Sequence, residues 1–262
     1  MRIDMQPPLT NVIPKDITFD FSKPLDNWYD IGYNLGMNKT LTYSIGNEKL
    51  LAMAKSLGLK ANQVTSFDLP AGYTCPKADM CQSFSNRDTG KITDGKNCQF
   101  RCYASSMEAR YTATRKAHWR NFDALKNLSS EKMVELILAT LPKETKIVRI
   151  HASGDFFSKR YFQAWVKVAE IRTDIQFFGY TKILPYVNSP KPDNFRLIYS
   201  FGGKMDSKVT CEPIAYVVKN IAEAIERGLH PACIDNPADD FQMIMNGRTF
   251  ALCLHGTQPK RT

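Results

Sequence analysis

Between Lys146 and Thr181 the chain reads as strand, tight turn, amphipathic helix and second strand, and this unit restricts what the rest can become. Lys146-Ile-Val-Arg-Ile-His-Ala152 is an apolar run of strand length and Ser153-Gly154-Asp155 is a turn. Ser158 caps a helix from Lys159 to Ile171, with Tyr161, Phe162, Trp165, Val168 and Ala169 on one stripe. Ile175-Gln-Phe-Phe-Gly-Tyr-Thr181 is the next strand, about thirty residues after the first, the spacing of a βαβ unit. Such units are right-handed and build parallel sheets.

The alternation extends in both directions. Upstream, Asn62 to Leu69 is an extended run, Ala104 to Leu128 a long helix, and Ser130 to Leu141 a helix stopped by Pro142. In the long helix Ala104, Met107, Tyr111, His118, Phe122 and Leu125 recur at helical intervals; Arg110, Arg115, Lys116, Arg120 and Lys126 spread over more than one face, so most are expected in solvent. Downstream, Phe195 to Phe201 ends in Gly202-Gly203, and Ile214 to Val218 precedes a helix, Asn220 to Arg227, closed by Gly228. Arg248 to Leu254 is the last strand. The expected fold is α/β, a single-domain parallel β/α barrel or partial barrel over residues 31–256, with an extended proline-bearing arm at 1–30 and a tail at 257–262.

No apolar run approaches the roughly 20 residues that span a bilayer, and the first residues lack the apolar core of a secretion signal. The expected location is the cytoplasm, where thiols stay reduced. The seven cysteines, an odd number, argue against a disulfide framework and for metal or cluster ligation. Lys and Arg exceed Asp and Glu by nine, so an anionic partner such as a nucleotide or nucleic acid is compatible with the charge.

Three cysteines lie in one polar, glycine-punctuated stretch: Cys75-Pro-Lys-Ala-Asp-Met-Cys81, then Phe-Arg-Cys102-Tyr-Ala. A three-thiolate site leaves an iron–sulfur cluster one open iron at which a ligand can bind. Zinc would accept the same thiolates with Cys98 as a fourth, giving a closed structural site. The downstream set Cys211, Cys233, Cys253 and His255 is a candidate auxiliary metal site. In a parallel barrel reactive groups gather at the C-terminal strand ends. Those ends carry Cys75, His151 with Ser153, Gly154 and Asp155, then Tyr180, Thr181 and Lys182, then Ser200. His151, Tyr180 and Lys182 are the catalytic or substrate-holding candidates, Lys182 suiting an anionic group.

The string Leu69-Pro-Ala-Gly-Tyr-Thr-Cys75-Pro, Cys81, Phe100-Arg-Cys102-Tyr-Ala, Arg149-Ile-His-Ala-Ser-Gly-Asp-Phe-Phe157 and Tyr180-Thr-Lys182 resembles the phage and plasmid gene product eighty-eight family, over roughly residues 35 to 255. That family is similar in turn to a divergent branch of the radical S-adenosylmethionine (SAM) enzymes. The resemblance implies that Cys75, Cys81 and Cys102 hold a 4Fe–4S cluster that binds SAM and cleaves it to a 5′-deoxyadenosyl radical. It implies further that Tyr103 lies near the adenine, and that Ser153, Gly154, Asp155, Thr181 and Ser200 contact the cofactor. A nucleotide or nucleic-acid base, such as a hypermodified thymidine of phage DNA, is the implied substrate, and a donor such as flavodoxin the reductant. One departure is the insertion Gln82 to Arg101, which leaves Cys98 or Cys102 for third ligand; Tyr103 favours Cys102. The rival readings are a zinc-stabilised, non-catalytic nucleic-acid-binding protein and an iron–sulfur electron carrier.

Overall fold

The computed structural model describes residues 40–45, 47–210, 212–232, 239–255 and 258. The expected arm at 1–30 lies outside them, as does all of the expected tail except Gln258. The strands are β1 (Tyr43–Ser44), β2 (Val64–Phe67), β3 (Ser83–Ser85), β4 (Ile92–Asp94), β5 (Ile147–Ile150), β6 (Gln176–Thr181), β7 (Phe195–Ser200), β8 (Ile214–Val218), β9 (His230–Pro231) and β10 (Phe250–Cys253). The helices are α1 (Glu48–Ser56), α2 (Tyr103–Arg110), α3 (Thr112–Leu125), α4 (Ser130–Thr140), α5 (Lys159–Ile171), α6 (Leu184–Asn188), α7 (Ile221–Glu226) and α8 (Asp239–Met245). None of the described helices is long and apolar enough to cross a membrane.

Eight strands form one sheet in the order β1-β2-β5-β6-β7-β8-β10-β9. All its pairings are parallel except that of β1 with β2. The parallel α/β expectation holds; among the described residues β1 and β9 stand at opposite edges, so of the barrel or partial barrel expected no closed barrel is seen.

Both faces are covered, which is why β5 is apolar at every position but Arg149 rather than alternating. Val148, Ile150 and Phe177 pack under α4 and α5 around Trp165. Ile147, Phe178 and Phe250 face the other way, onto Leu50 and Met53 of α1 and Phe241 of α8. Successive residues therefore serve opposite layers. Trp165 is fully buried, so its truncation to Ala would cost about 3–5 kcal/mol.

The single helix expected from Ala104 to Leu128 is two helices. Tyr111 takes an extended conformation between them, and both Met107 and Tyr111, expected inside, are exposed. The break has a polar cause. Arg115, in a set expected mostly in solvent, is 4% exposed and donates from Nε to the Arg87 carbonyl and from Nη1 to the Glu108 carbonyl, which a continuous helix would have engaged. Equally unanticipated is the antiparallel hairpin β3–β4, built from the insertion between Cys81 and Cys102.

Candidate functional site

The hairpin explains the loose cysteine spacing. Its strands pair Ser83 with Asp94 at the base, so the chain leaves after Cys81 and returns just before Cys102. Ser83 then ties the return: its hydroxyl accepts from the Cys102 amide at 3.4 Å, and its carbonyl accepts from the Ser105 hydroxyl at 3.0 Å. Gly72, at φ 75°, presses on the same strand; a Cβ there would lie 2.3 Å from the Ser83 carbonyl oxygen. The loop carrying Cys75 and the hairpin flanked by the other two cysteines are thus locked together.

Cys81 and Cys102 both act electrostatically on Cys75, and Cys81 acts on Cys102. Burial pushes the Cys75 thiol well above the ordinary range, and the negative charges of Asp155, Cys102 and Cys81 push it further. Burial, then Cys81, raises Cys102 to about 12, although backbone N–H groups of Ala104 and Ser105 at the start of α2 oppose the shift. Cys98 donates to the Phe100 carbonyl at 3.1 Å and lies 3.7 Å from the Ser83 hydroxyl. Cys102, across the hairpin, is thereby grouped with Cys75 and Cys81. Cys75 and Cys102, whose ionisation is opposed by burial and by a neighbouring thiolate, are groups that a thiophilic cation would relieve. With Cys81 they fit a thiolate-held cluster in kind and number, while no three His, Cys, Asp or Glu side chains among the described residues stand in metal-ligating geometry.

At the sheet's C-terminal rim the anticipated residues are bonded mainly to one another. Asp155 Oδ1 accepts from the Phe156 amide at 2.7 Å and the Thr181 hydroxyl at 2.8 Å, and Oδ2 accepts from the Lys182 amide at 3.0 Å. Lys182 Nζ donates to the Ser200 carbonyl and hydroxyl and the Phe201 carbonyl, at 2.8–3.1 Å. These bonds stitch together the ends of β5, β6 and β7. Burial raises the Asp155 pKa against the pull of those hydrogen bonds.

Ser153 and Gly154 face the cysteine loop. The Ser153 hydroxyl donates to the Leu69 carbonyl at 2.8 Å and lies 3.0 Å from Glu108 Oε1, which also accepts from the Ala71 amide. Gly154 sits at φ 90° where a Cβ would meet Thr74 Oγ1 at 2.5 Å, so the backbone approach that needs glycine here is to the residue before Cys75. His151 turns toward the helix layer: φ is 70°, Nε2 lies 3.0 Å from the Tyr161 hydroxyl, and burial lowers its pKa to about 3.

The remaining anticipated residues form a second group. The Tyr103 hydroxyl donates to the Ala152 carbonyl at 3.1 Å, its ring lies 4.7 Å from that of His255, and Tyr180 donates to Asp240 Oδ2 at 3.1 Å. Cys253 is disulfide-bonded, so, against its assignment as an auxiliary metal ligand, it supplies no thiolate, whereas Cys75, Cys81, Cys98 and Cys102 are free. Cys211 and Cys233 lie outside the described residues. Missed by the sequence reading were Asp68, which accepts from the Ala152 and Ser153 amides, and Glu108, Arg149 and Asp240. Arg149 had a signal: a cation inside a strand otherwise buried on both faces.

A family model described as Gene product 88 matches residues 38–260. The Gene 88 protein of Mycobacterium phage L5 is 28% identical over 167 residues, which are 59% of this chain and 60% of that protein. The Gene 88 protein of Mycobacterium phage D29 gives the same identity and coverage. The chain thus spans about 60% of the length of these curated relatives. No solved structure matches it.

Proposed function

The chain belongs to the Gene product 88 family, and from that premise we propose that it is a radical SAM-type iron–sulfur enzyme of phage or mobile-element origin. The observation carrying this reading is the grouping of Cys102 with Cys75 and Cys81 across the intervening hairpin, Cys81 and Cys102 both acting on Cys75 and Cys81 on Cys102. It lies beside the rim of an open, sequentially ordered parallel sheet, where α/β folds present their ligands. These three residues would hold a 4Fe–4S cluster, with Cys98 outside it. A cluster there would supply electrons for reductive cleavage of SAM, fed by a cellular donor such as flavodoxin.

The protein's own residues have simpler tasks. Gly72 and Gly154 let the cysteine loop seat closely against its neighbours, while Asp155, Lys182 and Ser200 hold the rim that faces it. Tyr103, next to Cys102 and beside His255, offers a ring on which an adenine would stack. The proposed substrate is a nucleotide or a nucleic-acid base, including a thymidine of phage DNA.

Purification without oxygen tests the assignment. A brown protein that dithionite bleaches is expected, with iron lost in Cys75→Ser, Cys81→Ser and Cys102→Ser and kept in Cys98→Ser. A colourless protein with stoichiometric zinc, lost equally from all four variants, would favour the second reading, a zinc-stabilised protein that binds nucleic acid without catalysis. One observation lends that reading weight: a surface groove of about 580 Å³ lined by Arg87, Lys116, Trp119 and Arg120 together with Asp88 and Asp123. Its cations and indole are the groups that track and stack a single strand.

A further inference from the structure

On β5 a guanidinium is buried without a matching anion. Arg149 is 9% exposed, its Nε has no hydrogen-bond partner, and among the described residues no carboxylate forms an ion pair with it. Its near neighbour is the ring of Tyr180, 5.4 Å from the guanidinium carbon. Two carboxylates act on it electrostatically, Asp240 and Asp68, and both are committed elsewhere. Asp68 Oδ1 accepts from the Ala152 and Ser153 amides and Oδ2 from the Ser66 hydroxyl. Asp240 accepts from Tyr180 and from the Phe241 amide, and stands 3.6 Å from Lys49 Nζ.

A cation–π contact with one tyrosine is weak compensation for desolvating a guanidinium, and an arginine kept in such a place needs another reason. The surroundings give one. Lys49, Arg149 and the His255 imidazole gather within electrostatic reach of each other; burial, then the Lys49 and Arg149 charges, holds His255 below its ordinary pKa. Two cations thus share this corner with carboxylates that are already engaged, and it borders Tyr103, the residue after Cys102.

We propose that Arg149 is an anion-receiving residue: its free fork binds an oxyanion, phosphate or carboxylate, of a ligand held beside Tyr103 and Tyr180. A guanidinium presents parallel N–H groups that match two oxygens of either group, and in a shielded site such charge-assisted bonds are strong. Lys49, 28% exposed, stands at the lip and supplies attraction from solvent. The inference needs no cluster on the thiols, so it stands or falls separately from the enzymatic reading.

The test uses the full chain as purified, in chloride buffer, by thermal unfolding and calorimetric titration with inorganic phosphate and, separately, acetate. Wild type is expected to bind at least one of the two and to be stabilised by it. Arg149→Met should weaken that affinity at least tenfold, while unfolding in anion-free buffer no lower than wild type, since it removes an unpaired buried charge. Arg149→Lys, which keeps the charge without the fork, should fall between. Phosphate binding alone assigns a phosphorylated ligand, and acetate binding alone a carboxylate. If neither anion binds wild type, or if Arg149→Met binds as wild type does, the assignment is overturned; so it is if Arg149→Met unfolds several degrees lower without anion, since Arg149 would then be a structural cation.

Discussion

His151 shows how one backbone angle redirects a side chain. Two residues beyond Arg149, the strand period would place it on the same face as Arg149; φ of 70° breaks the period and turns the ring to Tyr161 and Phe156 in the helix layer. Strand periodicity in the sequence carries no sign of such a break, so the residue was legible at a strand end and its direction was not. Asn tolerates this conformation and β-branched residues do not, so His151→Val should destabilise by about 1–3 kcal/mol more than His151→Asn in urea titration. The pH dependence has a definite sign. Burial lowers the folded pKa to about 3 against an ordinary 6.5, so below 6.5 only the unfolded chain takes up the proton. Stability carried by this residue is complete above pH 6.5 and falls by about 1.4 kcal/mol per pH unit down to about 3. His151→Asn should lose less stability than wild type between those limits, measured as urea midpoints at several pH values.

At the scale of elements, the cysteine loop, β3–β4 and α2–α3 behave as one body clamped to the sheet. Glu108 is the clamp: Oε1 accepts from the Ala71 amide, lies 3.0 Å from the Ser153 hydroxyl and 2.7 Å from His118 Nδ1. Burial disfavours the His118 imidazolium, but the Glu108 hydrogen bond and the Asp68 and Glu108 charges outweigh it and raise the pKa. A raised folded pKa stabilises fully below the ordinary 6.5 and loses the gain as pH climbs through the higher value. Glu108→Gln should therefore narrow the stability difference between acid and alkaline buffers on that limb, read as urea midpoints. Gly72→Ala should cost about 2–5 kcal/mol, combining strain at positive φ with collision against Ser83, and, if the thiols hold the proposed cluster, should lower its iron content. Gly228→Ala, with positive φ but nothing within 4 Å, should cost only the strain, about 1 kcal/mol. The βαβ core was readable because Trp165 and its stripe repeat at helical spacing beside apolar runs. The hairpin was not, since Ser83–Ser85 and Ile92–Asp94 are short and polar and owe their pairing to Gly72 and the Asn86 turn. The helix break was hidden for a similar reason: helical periodicity continues through Tyr111, and only the tertiary partners of Arg115 reveal the stop.

For the molecule as a whole, the excess of nine positive charges has to be divided between structure and surface. Arg115 belongs to structure, so Arg115→Glu should unfold the helix pair rather than report on a partner. Lys116 and Arg120 line the groove beside Trp119 and belong to the surface. If that groove takes a single strand, Lys116→Glu with Arg120→Glu should flatten the dependence of DNA affinity on salt by about 0.7 per lost phosphate contact, measured by fluorescence anisotropy from about 50 to 200 mM salt. An unchanged slope would leave the groove without a nucleic-acid role. The sheet order bears on a different matter, the timing of synthesis. From β5 to β8 each strand lies beside the one made before it, so a chain emerging amino end first gives each new strand a finished neighbour. β2 has β1 beside it but waits longest for its parallel partner, since Val64 pairs with Ile147 some eighty residues later. During that wait the thiols of Cys75, Cys81 and Cys102 have been translated but the Ser153–Asp155 turn has not. The nascent chain would pass through an interval in which its sulfurs are reachable by a delivery protein before the sheet walls them in.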